Sequence, residues 1–148
     1  MITTNMAKES KMNYIWWAVL SALFAGLTAV LARRGVEGVP SNLAVAVRVC
    51  VVLVFSVGIA IFTKQTQLQT LKTAWPFLVL SGIATGASWL CYFKALSLGP
   101  VSRVAPIDKL SFVIAMLLGI LFLGEKPSVN LIAGAVLISA GALLTLRG

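Results

Sequence analysis

The sequence predicts an all-α membrane protein: a bundle of five transmembrane helices with almost nothing outside the bilayer. Three observations predict it. Of the 148 residues, 59% are hydrophobic and only 11% charged, and the mean hydropathy is +1.00; a soluble domain carries about 25% charged residues. The apolar residues come in long blocks separated by short polar punctuation. A crossing helix needs roughly 20 such residues, because the hydrocarbon core is about 30 Å thick and each residue rises about 1.5 Å. Five blocks of that length leave no room for a separate soluble domain.

A polar tail, residues 1–13, carries Lys8 and Lys11. The first span then runs from about Tyr14 to Ala32 and stops at Arg33-Arg34-Gly35. It is too long for the apolar core of a signal peptide and no small-x-small cleavage pattern follows it, so it reads as a retained anchor. Gly38-Val39-Pro40 leads into a second span, about Ser41 to Thr63. The longest polar stretch, Lys64 to Ala74, connects to a third, about Trp75 to Leu98. Gly99-Pro100 turns tightly into a fourth span, about Val101 to Leu123. Leu123-Gly124-Glu125-Lys126-Pro127-Ser128 then leads to a fifth, about Val129 to Leu146. Gly and Pro fall at the junctions, where they punctuate helices. The last two connections are so short that spans three, four and five must be antiparallel neighbours. Small residues suit close packing in lipid: Gly82 and Gly86 in the third span, Gly134 and Gly141 in the fifth, with Ala135, Ser139 and Ala142 on an adjacent face. That packing is either within one chain or between two chains.

The net charge of +8 arises from twelve Lys and Arg against Glu9, Glu37, Asp108 and Glu125. Most of the bases sit at helix ends, where anionic headgroups attract them, so no nucleic-acid partner is expected and membrane lipids are. There is no His, and the two cysteines, Cys50 and Cys91, lie in apolar blocks without metal-ligand spacing. No metal, cofactor or disulfide is expected. Without His or a nucleophile–base pairing, acid–base catalysis has few candidates, so the chain is not read as an enzyme.

Five ionisable residues interrupt the apolar blocks: Arg48, Lys94, Arg103, Asp108 and Lys109. Let side A be the face bearing the N-terminus and side B the other. At about 1.5 Å per residue, Arg48, Asp108 and Lys109 lie roughly 10 Å in from side B, with Lys94 and Arg103 shallower. Each isolated charge costs about 2.5–3.5 kcal/mol at the bilayer centre. Either Lys94 and Arg103 snorkel to headgroups while Asp108 pairs with Arg48 or Lys109, or the layer lines a polar cavity open to side B. Such a cavity suits an anionic or zwitterionic solute. Trp89, Tyr92 and Phe93 lie at the same depth and either wall it or simply pack. The candidate substrate-binding residues are Arg48, Trp89, Tyr92, Lys94, Asp108 and Lys109. Asp108, one acid among four bases, is assigned a structural or substrate-orienting role rather than proton coupling. Trp16, Trp17 and Trp75 fall near side A, as an interfacial belt requires.

Flanking charges are Lys8, Lys11, Lys64, Lys72 and Lys126 on side A against Arg33, Arg34 and Arg147 on side B. Arg103 brings the balance close to even, so the positive-inside rule hardly orients the chain.

From Tyr14 to Leu146 the sequence resembles the EamA family of the drug/metabolite transporter superfamily. The residues that carry the resemblance are Tyr92-Phe93-Lys94-Ala95-Leu96, the stretch Gly99 to Leu110, the Leu123–Ser128 turn, the Gly134/Ile138/Gly141 pattern and Arg48 near the start of the second span. The resemblance implies transport of small metabolites, often export, across the inner or plasma membrane. Typical members carry two five-helix units in opposite orientations, and this chain matches one half of that inverted repeat. Where the family often has a mid-helix proline in the fourth span, this chain has Ser111-Phe112, so that proline is not there to kink it. A lone unit rebuilds the two-unit architecture by pairing with an oppositely inserted copy, an antiparallel homodimer, or with a partner half-transporter.

Two functions are therefore open: a secondary transporter of a small polar metabolite, or a non-transporting membrane subunit that binds anionic lipid through its basic layer. A small multidrug exporter is disfavoured, because the first span carries no acid. No ATP-binding motif is present, so a gradient would drive transport. The five-span layout predicts that a membrane-impermeant thiol reagent labels a cysteine placed in the 64–74 link from the face opposite to one placed at 35–39.

Overall fold

The protein is described by a computed structural model covering residues 2–66, 69 and 71–147, with the side chains of 2–13, 71 and 73 excluded. Lys8 and Lys11, counted above as side-A charges, thus have side chains outside the described residues. The described chain is helical apart from its connections: α1 (Ile2–Gly35), α2 (Ser41–Phe62), α3 (Leu71–Leu98), α4 (Val101–Asp108), α5 (Ser111–Leu123) and α6 (Val129–Leu144). Four stretches are long and apolar enough to cross a membrane: Tyr14–Gly35, Ser41–Phe62, Ala74–Leu98 and Val101–Leu123, the last formed by α4 and α5 together.

α6 is shorter, with 16 residues rather than the expected run to Leu146. Ser128 caps it by accepting a hydrogen bond from the Leu131 amide at 3.2 Å. At its other end a tighter turn carries the chain on, the Leu146 and Arg147 amides donating to Leu143 and Leu144 at 3.2 and 3.1 Å. α6 packs on both α5 and α4, and so follows the fourth span along its length.

Three boundaries differ from expectation. α1 continues N-terminally through the polar tail, because residues 2–13 contain no Gly or Pro to stop it. α3 begins at Leu71 rather than Trp75, with Pro76 near its start. The fourth span is broken where no kink was expected. After Pro106, successive bonds reach back three residues instead of four: Lys109 to Pro106 and Leu110 to Ile107 at 3.1 and 2.9 Å, then Phe112 to Lys109 and Val113 to Leu110 at 3.1 and 3.0 Å. Pro106 has no N–H and its ring crowds the carbonyl one turn back, so the helix tightens into a 3₁₀ segment, a common feature of hinges. The proline that matters lies five residues before Ser111.

α3 is the central helix and packs against α1, α2 and α4. The buried cluster is Ala32, Val36, Val45, Phe93 and Leu96, with Val101 and Val104 against it. These residues come from the ends of α1 and α3 and the starts of α2 and α4, which all lie toward side B. The Arg33 guanidinium ties the same end together by donating to the Leu96 carbonyl at 2.6 Å, satisfying a carbonyl that the end of α3 leaves without a helical partner. Toward side A the helices part, and from Tyr14 to Leu27, Val49 to Ile59 and Ala74 to Thr85 every described side chain is exposed.

The small residues divide into two sets. Ala135 and Ala142 are buried in the α6 contact with α4 and α5. A Cβ added at Gly82, Gly86, Gly134 or Gly141 would meet nothing within 4 Å, so no helix of this chain approaches those glycines.

The turn after α5 explains its Leu-Gly-Glu sequence. Gly124 adopts φ 66°, and the Gly124 and Glu125 amides both turn back to the Gly119 carbonyl, the latter at 3.2 Å, so a left-handed glycine ends the helix. The Glu125 carboxylate folds over Gly119, where an added Cβ would lie 2.8 Å from Oε2. Gly124→Ala is expected to destabilise by about 1 kcal/mol, because a Cβ is strained in the left-handed region. Gly124→Asn should lose less, and the Tm values of the two variants in detergent check the order.

Candidate functional site

Where α1, α2, α3 and the broken fourth span meet, they line a cavity of about 280 Å³. Its walls are Ala25 and Thr28 of α1, Arg48 of α2, Ser88, Trp89 and Tyr92 of α3, Asp108 and Lys109 at the break, and Ser111 at the start of α5. Helical spacing explains the set: 25 and 28, and 88 and 92, are one turn apart and share a face.

Arg48 is the centre of the site. Its guanidinium lies 4.5 Å from the Trp89 ring centroid and 5.3 Å from that of Phe93. Tyr92 meets Phe93 edge to face, centroids 6.5 Å apart at 65°, which steadies the aromatic platform. A desolvated cation–π contact contributes on the order of 2 kcal/mol, so the rings offset much of the roughly 2.5–3.5 kcal/mol cost of a charge at the bilayer centre. Among the described residues no carboxylate lies within 4.0 Å of Arg48; the two ion pairs are Arg34–Glu37 at 4.0 Å and Asp108–Lys109 at 3.5 Å. The five guanidinium donors are therefore left without a charged partner.

Of the six candidate residues, the structure brings together Arg48, Trp89, Tyr92, Asp108 and Lys109. Lys94 does not join them. It is exposed on α3, because Trp89, Tyr92, Phe93 and Leu96 occupy the inner face and residue 94 points away from it. Ala32, Val36, Val45, Phe93 and Leu96, with Leu96 fully buried, form an apolar layer next to the cavity toward side B. Arg103 is exposed and lines no described cavity. Thr28, Ser88 and Ser111 were not singled out from sequence. A hydroxyl inside an apolar block is the one signal they give, and it is weak, since such groups commonly bond back to their own helix, as Thr85 does to Ser81 at 2.8 Å.

A helical bundle that exposes apolar residues along its whole length, with four helical stretches long enough to cross a bilayer, defines a multi-pass membrane protein. Residues 12–147 match the EamA-like transporter family, and the chain belongs to that family. It is 49% identical over 134 residues to a protein of Sinorhizobium sp. named "Uncharacterized transporter in cobO 3'region", an alignment that covers 89% of this chain and 95% of that relative. No solved structure matches. The protein is a membrane transporter.

If Arg48 is kept for a ligand rather than for the fold, Arg48→Met should leave Tm in detergent unchanged or raised, because an apolar side chain of similar length avoids the desolvation cost. A fall of several degrees would make Arg48 a structural residue.

Proposed function

We propose that the protein is a secondary transporter, working as an exporter in the inner or plasma membrane, of a small polar metabolite that is anionic or zwitterionic. The observation that carries this reading is the unpaired Arg48 guanidinium, held on two aromatic rings at the wall of a polar cavity between the spans. Arg48 receives the anionic group of the solute. Asp108 and Lys109, paired at the helix break, orient its polar remainder, and Trp89 and Tyr92 supply the walls. The apolar layer packed beside the chamber and the 3₁₀ break after Pro106, where the fourth span would bend, support an alternating-access cycle.

The working unit in this reading is a dimer of five-helix units, each spanning residues 14–146. Bare glycines on α3 and α6 support it, as does the Sinorhizobium relative, 95% of which the match covers. The near-even charge balance supports an antiparallel homodimer. A partner half-transporter would use the same faces.

Overexpression, compared with a deletion strain, is expected to change the intracellular level of the transported solute. In reconstituted vesicles Arg48→Ala should lose at least tenfold in flux of that solute while staying folded. Absence of flux in both forms would instead favour the lipid-binding subunit. Reporter fusions at the C-terminus should register both orientations, and one orientation alone would remove the antiparallel homodimer.

A further inference from the structure

The chamber is not isolated. Between α1 and α2 a second cavity, about 480 Å³, shares Thr28 and Arg48 with it. This groove runs from Arg48 toward side B, with Leu31 and Gly35 on one wall, Ala44 and Val47 on the other, and Phe93 at its base. It is apolar apart from the two shared residues. Small side chains hollow it out: Gly35 and Ala44 leave space that a larger residue would fill, and a Cβ added at Gly35 meets nothing within 4 Å. From Thr28 to Gly35 the helix rises roughly 10 Å, about the reach of an octyl chain.

The charges at the mouth of this groove set the complementary group. Asp108 and Lys109 are paired at 3.5 Å and neutralise one another. Among the described residues lining the chamber, Arg48 then leaves one positive charge uncompensated. A charged head beside an apolar slot is the pattern of a site for an amphiphile.

We propose that the substrate is an amphipathic monoanion, its head on Arg48 and its apolar chain along the α1–α2 groove, with Gly35 and Ala44 setting the chain length accepted. This rests on the transporter reading above and gives the solute its class. The occupant is a soluble, single-chain anion rather than a bilayer phospholipid, because the slot floored by Phe93 runs only about 10 Å from Thr28 to Gly35, shorter than a phospholipid acyl chain.

The test uses the full chain in lipid nanodiscs and the series acetate, butyrate, hexanoate and octanoate as radiolabelled probes, with empty nanodiscs measuring simple partition. Saturable binding should tighten about threefold to fourfold per added methylene up to octanoate. Gly35→Leu, and separately Val47→Phe on the opposite wall, should flatten that gain beyond butyrate, and Arg48→Gln should abolish saturable binding at every length. Equal affinities from butyrate to octanoate, no saturable octanoate binding, or a length gain unaffected by both filling variants would each overturn the inference. So would a phospholipid that co-purifies in an Arg48-dependent manner and resists displacement by octanoate. Arg48-dependent solute flux combined with a flat length series rejects this inference alone. Loss of any Arg48-dependent flux rejects the transporter reading beneath it.

Discussion

Backbone amides and carbonyls in hydrocarbon have no water to bond, so a chain this apolar must satisfy them within its own helices. Every other feature of the structure depends on that constraint. It makes each greasy block a rod, restricts irregular backbone to the ends of rods, and permits an interruption at membrane depth only where the freed groups line a cavity. The break at Lys109–Leu110 meets that condition. It falls beside the Arg48 chamber, and its tightened bonds to residues three back keep most of the backbone satisfied. The charged residues Arg48, Asp108 and Lys109 meet at that place, whereas hydroxyls elsewhere in the spans bond back to their own helix, as Ser56, Thr85 and Ser139 do.

Two layers of different chemistry then divide the labour. Toward side B, Ala32, Val36, Val45, Phe93 and Leu96 hold α1, α2 and α3 together, reinforced by Arg33 on the Leu96 carbonyl. Next to it, α2 and α3 present Arg48, Trp89 and Tyr92, and the break in the fourth span presents Asp108 and Lys109. Phe93 belongs to both layers, buried among the apolar residues and placed beneath the guanidinium. α4 packs on α1, α3 and α6, whereas α5 packs on α6, so α6 bridges the two halves of the fourth span and α1 and α3 hold the first half alone.

The two sets of small residues obey one rule of helix association in lipid, with different partners. Where small side chains face a helix of the same chain, as at Ala135 and Ala142, the backbones close up. Where glycines face outward, as at Gly82, Gly86, Gly134 and Gly141, close approach is available to another chain. In lipid, helices associate through packing and hydrogen bonds rather than hydrophobic force, so outward glycines are suited to an association that an outward Leu would not favour.

The sequence by itself determined the class of the protein, the order of its spans and most of its site. Block length against bilayer thickness is a one-dimensional measure, so spans at about 14–32, 41–63, 75–98, 101–123 and 129–146 could be counted from residues alone. Arg48, Asp108 and Lys109 could be put at one depth by helix rise, and the Trp89 and Tyr92 side chains fell at the same level. Tertiary structure decided what depth cannot encode, which is azimuth and spacing around each helix axis. It turned Lys94 outward although its neighbours Phe93 and Leu96 are buried, placed the Phe93 ring under Arg48, and brought Thr28, Ser88 and Ser111 to the chamber. It also set the apolar layer of Ala32, Val36, Val45, Phe93 and Leu96 beside the chamber, since which ends of four rods converge is set by packing among all of them. The break in the fourth span, too, was visible only in the fold: a proline removes one bond wherever it stands, but the tightened turn at Lys109–Leu110 is known from the bonds the folded chain makes.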